Sequence, residues 1–320
     1  MLPTLAQIQT ASELVYSVIP PSPQYCWPLL CDELGAEVWM KHENHTPIGA
    51  FKVRGGLIYF SSLAKSIKAV VTATRGNHGQ SVALAAKRYD LAATVVVPFG
   101  NSAEKNAAMR SLGATLIEHG DDFQDAREHA ARVAEMSGAH MVPSFHPLLV
   151  QGVATYALEL FRAVSGIGSI YVPIGLGSGI CGVVAARNAL CPQTKVIGVV
   201  SSHARAYALS FAAKQPVESE VTTKLADGMA CRMPQPEALD IIWRYVDRIV
   251  EVSDSEIAEA MRVIYRCTHN CAEGAGAAPV AAALKERSRL HGQKVALVLS
   301  GGNVDMQTFA SVLAGQWSAS

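Results

Sequence analysis

Short apolar runs rich in β-branched residues alternate with amphipathic segments along most of the chain. The apolar runs predict strands at residues 69–74, 93–98, 115–118, 169–174, 196–201, 248–252 and 294–299. The amphipathic segments predict helices at residues 77–88, 103–112, 123–136, 150–164, 254–268 and 275–287. Continuous apolar strands separated by helices are typical of a parallel sheet covered on both faces, so the pattern predicts an α/β protein.

Composition narrows the classes of partner. The 320 residues are 50% hydrophobic, which is enough for a substantial core, and 27 basic residues balance 27 acidic ones. This balance argues against nucleic acid or an anionic membrane as a partner. Since no apolar run reaches the roughly 18 residues of a membrane helix and the N-terminus lacks a secretory pattern, we expect a cytoplasmic protein that acts on a small molecule.

The cysteine and histidine positions do not predict a metal site. The seven cysteines are odd in number and contain no Cys-x-x-Cys pair, so we expect reduced thiols rather than a disulfide framework or a zinc ribbon. Cys267 and Cys271 lie one helical turn apart while His269 points elsewhere, which favours a packed helix end. His42 and His45 lack a third ligand nearby.

Lys52 is the first candidate for chemistry because it follows three apolar residues, Ile48, Ala50 and Phe51. Burial lowers the pKa of an amine and frees the lone pair that condenses with an aldehyde such as pyridoxal phosphate (PLP). A lysine that merely extends from the first turn of a helix to solvent fits the same local pattern. Three further segments therefore carry the argument.

The first segment leaves a predicted strand and opens a helix through Thr74-Arg75-Gly76-Asn77-His78. Ligands in open α/β sheets bind at the carboxyl ends of strands, and backbone N–H groups at a helix start can hold a carboxylate. An ordinary helix cap by Asn77 fits the segment equally well.

The second segment is Gly175-Leu176-Gly177-Ser178-Gly179, which follows the predicted strand at residues 169–174. Small residues allow several backbone N–H groups to converge on one anion, so the segment reads as a phosphate cradle. A close contact between helix and sheet would also require small residues.

The same segment also matches the dinucleotide pattern G-x-G-x-x-G from Gly177 to Gly182. A dinucleotide site needs an acidic residue roughly 20 positions further on, at the end of the next strand. That strand ends instead in Ser201-Ser202. A phosphate on a compact cofactor therefore fits better than a nicotinamide dinucleotide.

The third segment is Ser300-Gly301-Gly302-Asn303, after the predicted strand at residues 294–299. The Ser300 hydroxyl is able to hydrogen-bond a ring nitrogen, whereas a carboxylate there would keep that nitrogen protonated. A plain strand end is the alternative.

Together the four segments resemble the fold type II PLP enzymes (tryptophan synthase β-like), in particular the serine/threonine dehydratase family, from about Leu34 to Asp305. The resemblance implies that Lys52 binds PLP as a Schiff base and that Ser300 faces the pyridine nitrogen. It further implies the remaining cofactor-binding residues: Phe51, Asn77, Gly175, Leu176, Gly177, Ser178, Gly179, Gly228 and Glu273. For Gly228 and Glu273, a loop turn and a helix-capping acid remain open as alternatives.

The resemblance also implies the architecture. We expect two domains with parallel-rich twisted sheets flanked by helices: a large PLP-binding domain from residues 1–62 and 148–320, and a small inserted domain from residues 63–147. The substrate-binding residues implied are Thr74, Arg75, Gly76, Asn77 and His78. A homodimer is the common assembly in the family.

The chain departs from the family pattern at three places. The cradle contains Leu176 and Ser178 where many members have only glycine. Val200, Ala204 and Ala206 occupy the places where metal-dependent members carry acids, so we expect no activating divalent cation. Arg75 stands where racemizing and many dehydrating members place a serine.

Arginine stays protonated in proteins and is a poor proton shuttle, so Arg75 disfavours racemization. Lys52 and Arg75 are the expected catalytic residues. The remaining possibilities for Arg75 are contact with a carboxylate, the leaving hydroxyl or the cofactor phosphate, or an orientation toward solvent.

The expected activity is dehydration and deamination of a β-hydroxy-α-amino acid to a 2-oxo acid and ammonia. The segments around Arg75 and Arg232 look most like a subgroup that includes phenylserine dehydratases, although threonine and serine are the usual substrates of the family. Two arginines would also suit 3-hydroxyaspartate. Cysteine synthase-like β-replacement and a noncatalytic PLP-binding sensor are the alternatives, and a chain that ends soon after Ser300 suggests a catabolic role.

Overall fold

A computed structural model describes residues 2–318, which form two β-sheets flanked by helices. The strands are β1 Gln24–Cys26, β2 Glu37–His42, β3 Ala69–Ala73, β4 Ala92–Val97, β5 Thr115–Glu118, β6 His140–Met141, β7 Ser169–Pro173, β8 Lys195–Ser201, β9 Arg248–Val252 and β10 Lys294–Leu299. The helices are α1 Leu5–Tyr16, α2 Pro28–Leu34, α3 Lys52–Ser61, α4 Asn77–Arg88, α5 Ala103–Ser111, α6 Phe123–Ser137, α7 Pro147–Ala163, α8 Ser178–Leu190, α9 Ala206–Ala213, α10 Pro236–Tyr245, α11 Asp254–Thr268, α12 Gly274–Lys285, α13 Arg287–Leu290 and α14 Met306–Leu313.

Six strands form the larger sheet in the order β1-β2-β10-β7-β8-β9, and four form the smaller sheet in the order β5-β4-β3-β6. Their neighbours pair in parallel except β1 and β2, which are antiparallel. The α/β fold with parallel-rich sheets is therefore confirmed. We call the four-stranded sheet with helices α4, α5 and α6 the small unit, and the rest of the described chain the large unit.

The predicted strands all form, each within one residue of its predicted bounds. Predicted helix 150–164 begins earlier, at Pro147, because proline is well tolerated in a first helical turn. Predicted helix 275–287 ends at Lys285 and a separate short helix follows it. Helix α11 begins where predicted, with a capping box in which Ser253 and Glu256 bond each other's backbone N–H groups.

The larger sheet lies in one continuous apolar core, which contains most of the buried side chains of β7, β8, β10, α7, α8, α11 and α12. The smaller sheet has apolar clusters on its two faces, one toward α4 and one toward α6. Within residues 2–318, no helix is both long enough and apolar enough to cross a membrane. The carboxyl ends of strands from both sheets border a common cleft.

A buried ionic cluster lies behind the start of α3. Arg54 donates from Nε to Glu43 at 2.7 Å and from Nη1 to Glu159 at 2.6 Å, and Lys41 pairs with Glu159 at 2.6 Å. The side chains of Arg54, Glu43 and Lys41 are fully buried. Ser22 joins the cluster through the Glu43 carboxylate and the Arg54 guanidinium. Two positive and two negative groups are balanced there, as buried charge requires.

Candidate active site

The carboxyl ends of strands from both sheets border one cavity of about 950 Å³. Its lining includes every site residue that the sequence predicts: Phe51, Lys52, Thr74, Arg75, Gly76, Asn77, His78, Gly175, Leu176, Gly177, Ser178, Gly179, Gly228, Glu273 and Ser300. The structure therefore brings the four predicted segments together. The role of each residue stays a prediction.

Lys52 is the first residue of α3 and is held in place through its backbone. Phe51 donates its N–H to the Ser300 carbonyl at 3.1 Å, and Ser81 Oγ donates to the Lys52 carbonyl at 2.7 Å. The ammonium lies 4.6 Å from the centroid of the Phe51 ring and forms no hydrogen bond or ion pair with the residues described. Burial lowers the pKa of Lys52, against the opposing effect of Glu273. The amine is thus predisposed to react as a neutral nucleophile or base.

The predicted phosphate cradle lies at the N-terminus of α8. Gly177 caps this helix with φ +100°, a conformation that side chains disfavour, and within residues 2–318 no side-chain cap bonds the N–H groups of the first turn. A Cβ on Gly175 would lie 2.3 Å from the Gly228 carbonyl oxygen, so a residue with a side chain does not fit there. Free N–H groups at a helix start bind anions, and the cradle has the chemistry that a phosphate needs.

Two tyrosines hydrogen-bond the backbone of the cradle. Tyr207 donates its hydroxyl hydrogen to the Leu176 carbonyl at 2.9 Å, and Tyr156 donates to the Gly179 carbonyl at 3.3 Å. Both carbonyls thus point away from the space that an anion would occupy. No local sequence pattern indicates these tyrosines, since they come from α7 and α9.

The loop before α4 forms the opposite wall. Thr74 Oγ1 accepts hydrogen bonds from the N–H groups of Gly76, at 3.0 Å, and Gly79, at 3.3 Å. Asn77 does not cap the helix as an ordinary N-cap residue would, because Gly76 holds the cap position. The Asn77 side chain instead donates to Glu273 Oε1 at 2.7 Å and accepts from Asn303 Nδ2 at 2.7 Å.

Glu273 and His78 each present an unpaired atom in this cavity. Glu273 stands at the N-cap position of α12 but its carboxylate does not cap that helix, and its Oε2 has no partner among residues 2–318. Burial raises the pKa of Glu273 to about 7. Burial, with the nearby Lys52, lowers the pKa of His78 to about 3, so this imidazole is neutral, and its Nε2 is also unpaired in the described chain.

Lys105 and Asp227 also line the cavity, although neither is among the site residues that the sequence predicts. They form an ion pair between α5 and the turn at Asp227–Met229. Burial alone would lower the pKa of Lys105, but Asp227 and Glu273 together raise it. Lys105 therefore stays charged, and only the tertiary arrangement reveals it, because in the sequence it lies on an ordinary polar helix.

Arg75 and Arg232, the two arginines that the sequence places near the site, differ in their charged neighbours. Arg75 is exposed, lines the cavity and has no hydrogen-bond or ion-pair partner among the described residues. Arg232 also borders the cavity but is 74% exposed and lies 3.6 Å from a Glu218 carboxylate oxygen. A free guanidinium at Arg75 is available to an anionic group of a ligand.

These observations fit PLP. The cradle at α8 offers N–H groups to a phosphate, Lys52 offers an unpaired amine, and Ser300 follows β10 at the cavity wall with its side chain buried. The unpaired Glu273 Oε2 has the polar character to meet a polar ring substituent. No group of three or more metal-ligating side chains lies close together within residues 2–318.

Comparison with known proteins identifies the family. A family model for pyridoxal-phosphate-dependent enzymes matches residues 17–301. The chain is 34% identical to an L-threonine ammonia-lyase of Thermotoga maritima, over 97% of this chain and 78% of that protein. It is 31% identical to an L-threo-3-hydroxyaspartate ammonia-lyase of Saccharomyces cerevisiae, over 99% of this chain and 98% of that protein.

A solved structure agrees with these sequence matches. The processed form of threonine deaminase isoform 2 from Solanum lycopersicum superposes with a TM-score of 0.91 and 31% identity, covering 98% of this chain and 88% of that one. The similarity thus extends over both sheets and the cavity between them. The chain therefore belongs to the fold type II pyridoxal-phosphate-dependent enzymes, as a lyase of the serine/threonine dehydratase family.

Proposed function

We propose that this enzyme is an ammonia-lyase that converts a β-hydroxy-α-amino acid to a 2-oxo acid and ammonia. The observation that carries the proposal is the position of the unpaired Lys52 amine in a cavity that also holds an anion cradle and a second helix N-terminus at α4. The named activities of the Thermotoga and Saccharomyces relatives support the same reaction class.

Bound PLP would supply the electron sink that stabilises negative charge at the substrate α-carbon. The Lys52 amine, whose pKa burial lowers, takes the α-proton. The backbone N–H groups of Asn77 and His78 orient the substrate carboxylate, since Thr74 takes the N–H of Gly79 in the first turn of α4 and no described side chain bonds those of Asn77 and His78. The proton taken from the α-carbon and the departing β-hydroxyl together make up the water that is lost. The enamine that remains tautomerises and is hydrolysed to the 2-oxo acid and ammonia.

Threonine, serine and 3-phenylserine are the first substrates to test, because a cavity of about 950 Å³ admits side chains of very different size. The experiment is 2-oxo acid release by the PLP-loaded enzyme from L-threonine, L-serine and L-threo-3-phenylserine, without added metal. We expect turnover of at least one of these three or of L-threo-3-hydroxyaspartate. A protein that is inert toward all four and nevertheless keeps its bound cofactor would favour a sensor, and sulfide-dependent consumption of O-acetylserine would favour β-replacement.

L-threo-3-hydroxyaspartate is a second candidate substrate because Arg75 presents an unpaired guanidinium to the cavity. A second carboxylate on the substrate would gain a charge-assisted hydrogen bond there. If this substrate is preferred, Arg75→Gln should lower its kcat/KM at least tenfold and change that of threonine much less. Arg88→Gln, at the exposed end of the helix that follows Arg75, is the matched control.

A further inference from the structure

One turn of α5 makes three polar contacts between the small and the large unit. Lys105 pairs with Asp227, Ser102 Oγ donates to the Asp305 carboxylate, and Glu104 accepts the N–H of Met306 at 2.9 Å. All three partners of α5 belong to the large unit. The start of α5 is therefore a point of attachment across the cavity.

Lys105 is also packed against the substrate-side loop. A Cβ on Gly76 would lie 2.8 Å from Lys105 Cδ and 3.7 Å from its Nζ. The aliphatic part of the Lys105 side chain therefore occupies the space that a side chain at position 76 would need. The Lys105 side chain is only 10% exposed. Its position is thus set by the loop on one side and by Asp227 on the other.

Asp227 continues the connection to the phosphate cradle. Its Oδ1 accepts the N–H of Gly228 at 2.8 Å, and the Gly228 carbonyl oxygen would lie 2.3 Å from a Cβ on Gly175. A contiguous series of contacts therefore runs from Gly76 through Lys105 and Asp227 to Gly175. Lys105 is the link that crosses from one unit to the other.

We propose that Lys105, tethered by Asp227, is a positioning residue that holds the α4 N-terminus against the cradle, so that the carboxylate of an amino acid substrate meets its binding groups. The proposal rests on the proposed function in that it assumes a substrate carboxylate at α4. Lys52 and the cradle both belong to the large unit, so we expect the tether to matter less for cofactor binding than for substrate binding. The charged ammonium beside Gly76 also favours an anion at that helix start.

The kinetic test compares Lys105→Met, Asp227→Asn and the double variant in the PLP-loaded enzyme. Methionine keeps most of the stem and removes the charge, and asparagine keeps the oxygen that accepts from Gly228. Each single variant should raise KM roughly tenfold with kcat changed less than about threefold, and the double variant should be no worse than the singles, because residues of one tether are not additive. Lys105→Arg should restore part of the affinity, and Lys87→Met, on the exposed end of α4, should have no effect.

A second readout does not depend on turnover. In cofactor-free protein, amide hydrogen exchange of residues 102–112 should become faster in Lys105→Met and in Asp227→Asn, because the attachment of α5 to the large unit is weakened. With PLP bound, the dissociation constant of the amino acid, read from the change in visible absorbance, should rise by the same factor as KM. This binding readout separates a failed tether from a failed assignment of the reaction, since it requires no product.

Three results would overturn the proposal. A fall in kcat at unchanged KM would place Lys105 in the chemical step, and loss of the cofactor absorbance would make it a cofactor-binding residue. Unchanged exchange and unchanged KM in both single variants would show that the ion pair has no positioning role.

Discussion

Asn77 donates a hydrogen bond from Nδ2 to Oε1 of Glu273 at 2.7 Å, although 196 residues separate them in the chain. The bond joins the first residue of α4 to the cap position of α12, and so it joins the small unit to the large one. It satisfies only one oxygen of a carboxylate that is 3% exposed. Burial, and after it the nearby charge of Asp227, raises the pKa of Glu273.

Glu273 should make the cofactor-free protein less stable as the pH rises from about 4.5 to about 7. Its pKa is 4.5 when unperturbed and about 7 in the folded chain, so between these values the folded state binds the proton and the unfolded state does not. Unfolding then releases a proton, and the free energy of unfolding falls by up to about 1.4 kcal/mol per pH unit. Urea denaturation at several pH values measures this slope.

Glu273→Gln is the matched variant because it keeps the oxygen that accepts from Asn77 and removes the titration. As the pH rises to about 7, the unfolding free energy of the variant should increase relative to that of the parent protein. Above pH 7 the difference between the two proteins should be constant. Parallel curves for the two proteins over the whole range would contradict the assignment.

Lys52→Ala should abolish both the visible absorbance of the bound cofactor and the release of 2-oxo acid. The amine is unpaired in the described chain and its pKa is lowered by burial, and no other lysine of the cavity shares this state, since Lys105 is held charged by Asp227. Absorbance spectra and product assays on the purified variant measure the two effects. Lys65→Ala, at an exposed position, should retain both, and full activity of Lys52→Ala would rule out the assigned role.

Gly175→Ala should weaken PLP binding by at least tenfold. The added methyl group would meet the Gly228 carbonyl oxygen at 2.3 Å, so either the cradle or the turn after Asp227 must move. Fluorescence titration with PLP measures the dissociation constant. Gly168→Ala is the control, since its nearest contact would be an ordinary 3.5 Å and its backbone conformation suits alanine; equal affinities for the two variants would argue against the cradle.

Part of the site could be predicted because the segments at Thr74, Gly175 and Ser300 follow the ends of apolar strands, whereas Gly228 and Glu273 were implied only by the resemblance to a known family. Parallel strands bring their carboxyl ends to one edge of a sheet. Segments that are distant in sequence, such as those at Gly175 and Ser300, are therefore expected to lie close together. The local sequence pattern is sufficient to locate these strand ends, because a strand buried on both faces forms a continuous apolar run. The clustering of these three segments in one cavity follows from that rule.

The parts that were missed depend on tertiary contacts. Strand β2 was not predicted because Lys41 and His42 interrupt its apolar run, yet Lys41 is fully buried since Glu159 neutralises it. The role of Lys105 depends on how the two sheets face each other, and a local sequence pattern does not predict that arrangement. Helix α1 is different, because its capping box at Thr4 and Gln7 was a signal available in the sequence.

Arg54→Met should destabilise the protein by about 3–5 kcal/mol, the usual cost of removing one partner from a buried ionic cluster. Glu43 and Glu159 would then keep only Lys41 as a charged partner in a site where all three side chains are nearly inaccessible to water. Methionine fills much of the same volume, so the loss reflects charge rather than a cavity. Urea denaturation of cofactor-free protein measures the change.

The control for this variant is Arg266→Met, which breaks an ion pair of similar length, 2.7 Å to Glu33, with side chains 59% and 32% exposed. Water solvates both charges there after the break, so the expected change is below about 1 kcal/mol. Because Arg54 lies two residues after Lys52 on α3, its loss should also weaken PLP binding, whereas Arg266→Met should not. Equal destabilisation by the two substitutions would show that the buried cluster contributes no more than a surface pair and that α3 is held by its apolar contacts alone.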